Sequence, residues 1–261
     1  MAPIITLTTD FGTRDPFVGT MKGVILQIAR DVQLGDLTHD IAPHDVIEGG
    51  LALEAAVPFF PPETIHLAVV DPGVGSARRP LAISARRQLF VGPDNGLFSF
   101  LFGAGEWRAV LLEAAAYRLP AVSLTFHGRD VFAPAAAYLA VGTPLHRLGP
   151  PVTDPVVLPW PAAYREGETL LGEVIHVDRF GNLVTSVRTG DLGVLGPSPS
   201  LVVEVEGKEI GGIVACYADL PVGELGALVG SSDRLEISAR EGSAERATGA
   251  TRGSRVRVRK R

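Results

Sequence analysis

Residues 65–79 read IHLAVVDPGVGSARR, an apolar run that stops at Asp71 and turns at once into a Pro/Gly loop closed by Arg78 and Arg79. Such a run reads as a buried strand. In an open α/β sheet, ligands bind in the crevice beyond the carboxyl ends of the strands, so Asp71 stands where a ligand is expected. Pro72, Gly73 and Gly75 supply a sharp turn and allow close backbone approach. Arg78 can then reach back to Asp71 from the far side of the loop. The competing reading is a strand-end aspartate capping its own turn, with Arg78 merely exposed.

The flanking sequence repeats the pattern. Ile4 to Thr9 reads as a first strand ended by Asp10, Asp15-Pro16 opens a helix, and Val32 to Leu37 is a second strand. Phe17, Val18, Met21, Val24, Ile25 and Ile28 fall on one helical face. A second helix follows over 46–57, so strand, helix, strand, helix, strand predicts a mainly parallel sheet. Leu81 to Ala85 and Leu89 to Val91 read as a hairpin, Pro93-Asp94-Asn95-Gly96 as a turn, and Leu97 to Phe102 as a short helix. Thr125-Phe126-His127-Gly128-Arg129-Asp130 then leads into an alanine-rich helix over 131–141, whose Pro134 is tolerable only in the first turn. Asp10, Asp71 and His127 thus gather on one predicted rim.

From Gly142 to Gly167 six prolines deny regular structure and predict an extended linker. The expected division is an α/β domain over 1–148, a Pro-rich linker over 149–168, and a C-terminal β-barrel domain over 169–261 made of short strands. The terminal segment RGSRVRVRKR reads as a last strand with one solvated basic face.

Composition sets limits on function. The 261 residues are 46% hydrophobic, enough for a packed core. A net charge of −5 and a pI near 5.7 make neither nucleic acid nor an anionic membrane an expected partner. One cysteine, Cys216, excludes an internal disulfide and any cysteine-rich metal site. The N-terminus lacks the regions of a signal peptide, and no long apolar run suggests a membrane span, so the expected location is cytoplasmic. Two motifs are discarded. Asp10-Phe11-Gly12 has only nine residues before it, too few for a kinase fold, and Gly73-Val74-Gly75 lacks the third glycine of a dinucleotide loop. No His-x-x-x-His or Cys pair supports a metal site.

Six stretches in order, TLTTDFGTRDPFVGTMKGVIL, THDIAPHDVIEGG, VVDPGVGSARRPLAI, FVGPDNGLFS, TFHGRDVFAPAAA and VIHVDRFGNLVTSV, resemble the S-adenosylmethionine hydrolase family, also called S-adenosyl-L-methionine hydroxide adenosyltransferases. That family is related to fluorinases and chlorinases. The resemblance covers nearly the whole chain. It implies an N-terminal α/β domain, a C-terminal β-barrel, and a homotrimer whose sites lie between one subunit's N-domain and a neighbour's C-domain. The implied reaction is attack of water or hydroxide on C5′ of S-adenosylmethionine, giving adenosine and methionine, with no metal and no cofactor.

The same resemblance implies roles. Asp71, Arg78 and His127 match the group that acts on the water, with Asp71 and His127 both open as the base. Asp10 matches the ribose-binding aspartate, Asp15 and Asp178 carboxylates near the methionine ammonium, and Ser231 a serine near its carboxylate. Phe180 offers adenine a stacking face, and Asn182 a donor and acceptor pair. The turn holding them also reads as a simple hairpin connection. Halogenating relatives carry a serine at the position of Gly128 and an aromatic residue at that of Asp71. A carboxylate there repels a halide, so halogenation is disfavoured. Arg240-Glu241 stands where hydrolases tend to carry asparagines, and no role is assigned there. The rival readings are an Asp/His metallohydrolase of phosphate esters and a non-catalytic sensor of adenosyl ligands.

Overall fold

Seven strands form one sheet in the first part of the chain: β1 (Ile4–Thr9), β2 (Gln33–Thr38), β3 (Ile65–Val69), β4 (Pro80–Ala85), β5 (Gln88–Pro93), β6 (Trp107–Leu111) and β7 (Pro151–Val152). Their order is β2-β1-β3-β5-β4-β6-β7. The helices are α1 (Phe17–Ile28), α2 (Val46–Ala56), α3 (Ser99–Phe102) and α4 (Ala133–Ala140). This computed structural model describes residues 2–103 and 105–261. The chain divides into two units, one ending at Trp160 and the other beginning at Pro161.

The first sheet is mixed, so the expectation of a mainly parallel one holds in part. β2, β1, β3 and β5 pair in parallel, while β4, β6 and β7 join through antiparallel pairings. The reversal comes from the tight turn between β4 and β5, where Arg86 and Arg87 hold φ of 51° and 63°. That left-handed pair is what a two-residue hairpin demands. β6 was not legible: Trp107-Arg108-Ala109-Val110-Leu111 shows no apolar and polar alternation, and only Ala109 and Val110 are buried.

Alternation along the strands divides the core into two layers. Ile65, Leu67 and Val69 face one side with Ile5, Leu7, Met21, Ile25, Phe132 and Ala136, under α1 and α4. Ala68 and Val70 face the other with Leu53, Ile83, Phe90, Leu97 and Phe98, under α2 and α3. Each fully buried large side chain contributes about 1.5–3 kcal/mol. Asp45 caps α2 by accepting from Glu48 N at 2.9 Å. Within α2, a Cβ on Gly50 would lie 2.6 Å from the Trp160 ring, so only glycine admits that indole.

His66 lies wholly inside, its Nδ1 2.7 Å from Thr6 Oγ1 and its ring stacked on Phe90 at 5.1 Å. Burial pushes its pKa down to about 4. An unfolded histidine takes up a proton near pH 6.5 and the folded one does not, so stability is full above 6.5 and falls between 6.5 and about 4. The expected loss is about 3 kcal/mol. Urea midpoints across that window are expected to decline less steeply for His66→Gln, which gains no charge. Parallel declines would remove the assignment.

Within the proline-rich stretch, the segment from Asp154 to Trp160 lies against the first unit. Val156 N donates to Asp94 Oδ1 at 2.8 Å, Leu158 N to Ser99 Oγ at 2.8 Å, and Trp160 Nε1 to Glu54 Oε2 at 3.3 Å. Trp160 also packs on Phe100 at 5.9 Å. Backbone donors freed from a sheet find side-chain acceptors here, which composition alone does not reveal.

The second unit is all-β apart from short helices. Its strands are β8 (Tyr164–Glu166), β9 (Thr169–Val177), β10 (Leu183–Arg188), β11 (Leu201–Val205), β12 (Lys208–Gly211), β13 (Ile213–Val214), β14 (Leu225–Val229), β15 (Arg234–Ala239) and β16 (Arg255–Lys260). They pair in the order β12-β11-β16-β9-β10-β15-β14-β13, with β8 on β9. β12 comes back against β14, so the sheet is nearly closed and barrel-like. Val256 and Val258 are fully buried while Arg257 and Arg259 face Glu204 and Glu209 outside. The terminal Val/Arg alternation is therefore a barrel strand with a solvated basic face.

Candidate active site

β1 and β3 run side by side with Thr9 opposite Val69, so Asp10 and Asp71 leave the same edge of the sheet. Asp10 Oδ2 accepts from His44 N at 2.9 Å, tying the loop after β1 to the one after β2. Gly12 N donates to His39 O at 2.8 Å and reinforces that link. Asp15 is exposed in the turn ahead of α1.

Two successive turns bring Arg78 back over the strand end. Val74 N donates to Asp71 O at 3.2 Å and Ser76 N to Gly73 O at 3.1 Å. Ser76 Oγ donates to Gly73 O at 2.6 Å and accepts from Arg78 N at 3.2 Å. The guanidinium then grips Asp71 as a fork, Nε to Oδ1 at 2.8 Å and Nη2 to Oδ2. The two side chains are only 8% and 5% exposed. Arg78 is therefore not the exposed residue of the simpler reading.

The histidine loop meets this fork from the other side. Gly75 has φ of +76°, and a Cβ there would sit 2.4 Å from Leu124 O, so the two loops touch through that glycine. Arg78 Nη2 donates to His127 Nδ1 at 2.9 Å. An arginine has no lone pair to offer, so Nδ1 is the acceptor and the neutral ring carries its proton on Nε2. The pKa of His127 is lowered, first by burial and then by the Arg78 charge. Arg78 also lies 5.1 Å from the Phe132 ring centroid. Its Nη1 is buried without a partner among the described residues, at a cost of about 1–3 kcal/mol.

His127 directly precedes a turn of π-helix, Gly128–Phe132, that runs into α4. Such turns recur at functional sites. Asp130, fully buried, anchors it: its carboxylate accepts from Arg129 Nε at 2.5 Å, Arg129 Nη2 at 2.9 Å and Ser123 N at 2.8 Å. Burial pushes the Asp130 pKa up, but Arg129 and the Ser123 amide outweigh it and hold the carboxyl low.

In the second unit, Asp178, Phe180 and Asn182 share the turn from β9 to β10. Asp178 Oδ1 accepts from Phe180 N and Asn182 N, each at 2.9 Å, and Oδ2 from Asn182 Nδ2 at 2.9 Å. Much of the polarity of this motif is thus spent inside its own hairpin. Phe180 is 76% exposed, an aromatic face without a cover in its own unit. Ser231 stands elsewhere, in the exposed turn before Arg234 at the start of β15, whereas the 178–182 turn flanks Leu183, which pairs with Ile237. Between them Tyr217 OH donates to buried Glu236 at 2.8 Å, and burial followed by that carboxylate pushes the phenol up to about 12. Arg240 donates to Ala218 O and Leu220 O at 3.1 and 2.9 Å.

Asp94 and Asn95, read from sequence only as turn formers, bond to both stems of the Asp71 loop. No sequence signal separates that role from turn chemistry. Among the described residues no group of three or more His, Cys, Asp or Glu is placed to hold a metal ion, and no helix is long and apolar enough to cross a membrane.

The comparisons with known proteins cover both units. Residues 5–149 match the model described as SAM hydroxide adenosyltransferase N-terminal domain, and residues 172–257 the corresponding C-terminal domain. The chain is 40% identical over 266 residues to an (R)-S-adenosyl-L-methionine hydrolase of Thermus thermophilus, covering 99% of this chain and 100% of the relative. It is 41% identical over 261 residues to one from Salinispora tropica, covering 98% and 97%. A crystal structure of an uncharacterized conserved protein from Thermotoga maritima superposes with a TM-score of 0.92 at 32% identity, covering 98% of this chain and 100% of that one. With both domain models matched in order, and full-length relatives at this identity, the chain belongs to the SAM hydroxide adenosyltransferase family.

Proposed function

We propose that this protein hydrolyses S-adenosyl-L-methionine, water attacking C5′ to give adenosine and L-methionine. The observation that carries the reading is the Asp71, Arg78 and His127 cluster, drawn from two loops and mostly buried. A C5′–O bond forms as the C5′–S bond breaks, and its electron pair leaves with sulfur, so the sulfonium becomes a neutral thioether. No acid is needed for such a leaving group. Attack by neutral water makes a protonated alcohol, far more acidic than a carboxylic acid, so a weak but well-placed base suffices.

Asp71 is that base. Its carboxylate has about four lone-pair sites, of which Arg78 takes two. His127, with Nδ1 already accepting from Arg78, offers Nε2–H to orient the oxygen. Fixing the oxygen in line behind C5′ contributes up to about 7–11 kcal/mol. Protonating His127 breaks its bond from Arg78. Because its pKa is lowered, kcat/KM is expected to fall on acidification with a midpoint below 6.5. An acid limb centred above pH 7 would contradict this tautomer.

Asp10, with one oxygen held by His44 N, presents the other to the ribose hydroxyls. Asp15 and Asp178 serve the methionine ammonium, Ser231 its carboxylate, and Phe180 with Asn182 the adenine. Membership of the family is what suggests a homotrimer with sites at subunit interfaces, testable by light scattering. An acidic chain with one exposed cysteine fits a cytoplasmic setting.

The test is product analysis in halide-free buffer containing a chelator and ¹⁸O-labelled water. The expected products are adenosine carrying label on its 5′ oxygen and unlabelled methionine. Substrate unchanged over hours, or turnover restored only by a divalent cation, would sink the proposal.

A further inference from the structure

The turn that follows β5 grips the active-site loop at both of its stems. Asn95 Nδ2 donates to the carbonyl of Val70, the residue immediately before Asp71, at 2.8 Å. Asn95 Oδ1 accepts from Leu97 N at 3.2 Å, which fixes the amide's orientation. The preceding residue, Asp94, has a side chain only 3% exposed. It accepts from Arg79 Nε at 2.7 Å, on the residue immediately after Arg78, and Asp94 N donates to Arg79 O at 2.8 Å. A third strut braces the same arginine, with Arg79 Nη1 on Asp154 Oδ1 at 2.8 Å.

Two adjacent residues therefore set the separation of residues 70 and 79, and with it the geometry of the Asp71 and Arg78 fork between them. We propose that Asn95, with Asp94 beside it, is a positioning residue for hydrolysis that acts through the backbone on Asp71 and Arg78. The proposal rests on the reading of those two as catalytic. A carboxylate displaced by about 1 Å can cost on the order of 10²-fold in rate. Neither residue of the clamp touches the fork directly, so its effect should reach turnover and not substrate affinity.

The test is a kinetic double-mutant cycle with Asn95→Ala and Asn95→Asp, each alone and combined with Asp71→Asn. Asn95→Asp keeps the acceptor for Leu97 N and turns a lone pair toward Val70 O, so it reports even if the alanine variant folds poorly. In the otherwise native protein each is expected to lower kcat by about 10- to 100-fold with KM within about twofold. In the Asp71→Asn background the same change is expected to lower kcat by less than about twofold, because the group being positioned is gone. Equal losses in both backgrounds, or a loss confined to KM or thermal stability, would overturn the proposal. Near-native turnover of Asp71→Asn itself would instead remove the catalytic reading beneath it, which keeps the two failures distinct.

Discussion

Asp71→Asn is expected to lower kcat by roughly 10²- to 10⁴-fold, the range for losing a positioned base. The replacement keeps the shape of the side chain and removes what the mechanism uses. One carboxylate oxygen becomes an NH₂ group facing the Arg78 fork, so two donors meet where a donor met an acceptor. The oxygen that remains can still receive one bond from arginine but takes a proton poorly. Under the proposed assignment Asp71 is not among the binding residues, so KM is expected to change by no more than a few-fold. Steady-state kinetics with chromatographic detection decide the matter. Turnover within threefold of the native protein would mean that another group receives the proton.

Arg78→Met is expected to have the largest effect on stability, about 3–5 kcal/mol, because it strands the Asp71 carboxylate in a site where its side chain is 5% exposed. The loss comes from the orphaned charge more than from the missing attraction. Pairing Arg78→Met with Asp71→Leu removes both charges and is expected to recover most of the stability, since apolar pairs often replace buried ion pairs at little cost. Activity should not return in the double variant. Urea unfolding of the two singles and the double closes the cycle. Additive losses would show that each residue stabilises the loop independently.

The parts of this molecule that follow from local rules were legible in its sequence. The Val70-Asp71 strand end, the Pro16 start of α1, the hairpin at 86–87 and the Val/Arg alternation of β16 each rest on periodicity or turn chemistry within a few residues. Asp71, Arg78 and His127 could be nominated from loops at strand ends, and their contact needs a 49-residue separation to close between Arg78 and His127. That closure depends on Gly75 lying against Leu124, a fit between two loops that neither one encodes alone. The antiparallel half of the first sheet was less visible, because Trp107-Arg108-Ala109-Val110-Leu111 carries no clean alternation. The roles of Asp94, Asn95 and Asp130 were hidden for another reason. Each is a polar residue in a sequence that also reads as an ordinary turn or cap, and only the tertiary partner distinguishes the two.

The seating of Asp154, Val156, Leu158 and Trp160 bears on how the molecule could be cut. A fragment stopping at 149, where similarity to the N-terminal domain model ends, would discard the brace on Arg79 and uncover the ring of Phe100. Severed there, the α/β half should dissolve poorly and hold its Asp71 loop slackly, whereas a boundary moved past Trp160 would carry that strap along and leave the loop taut.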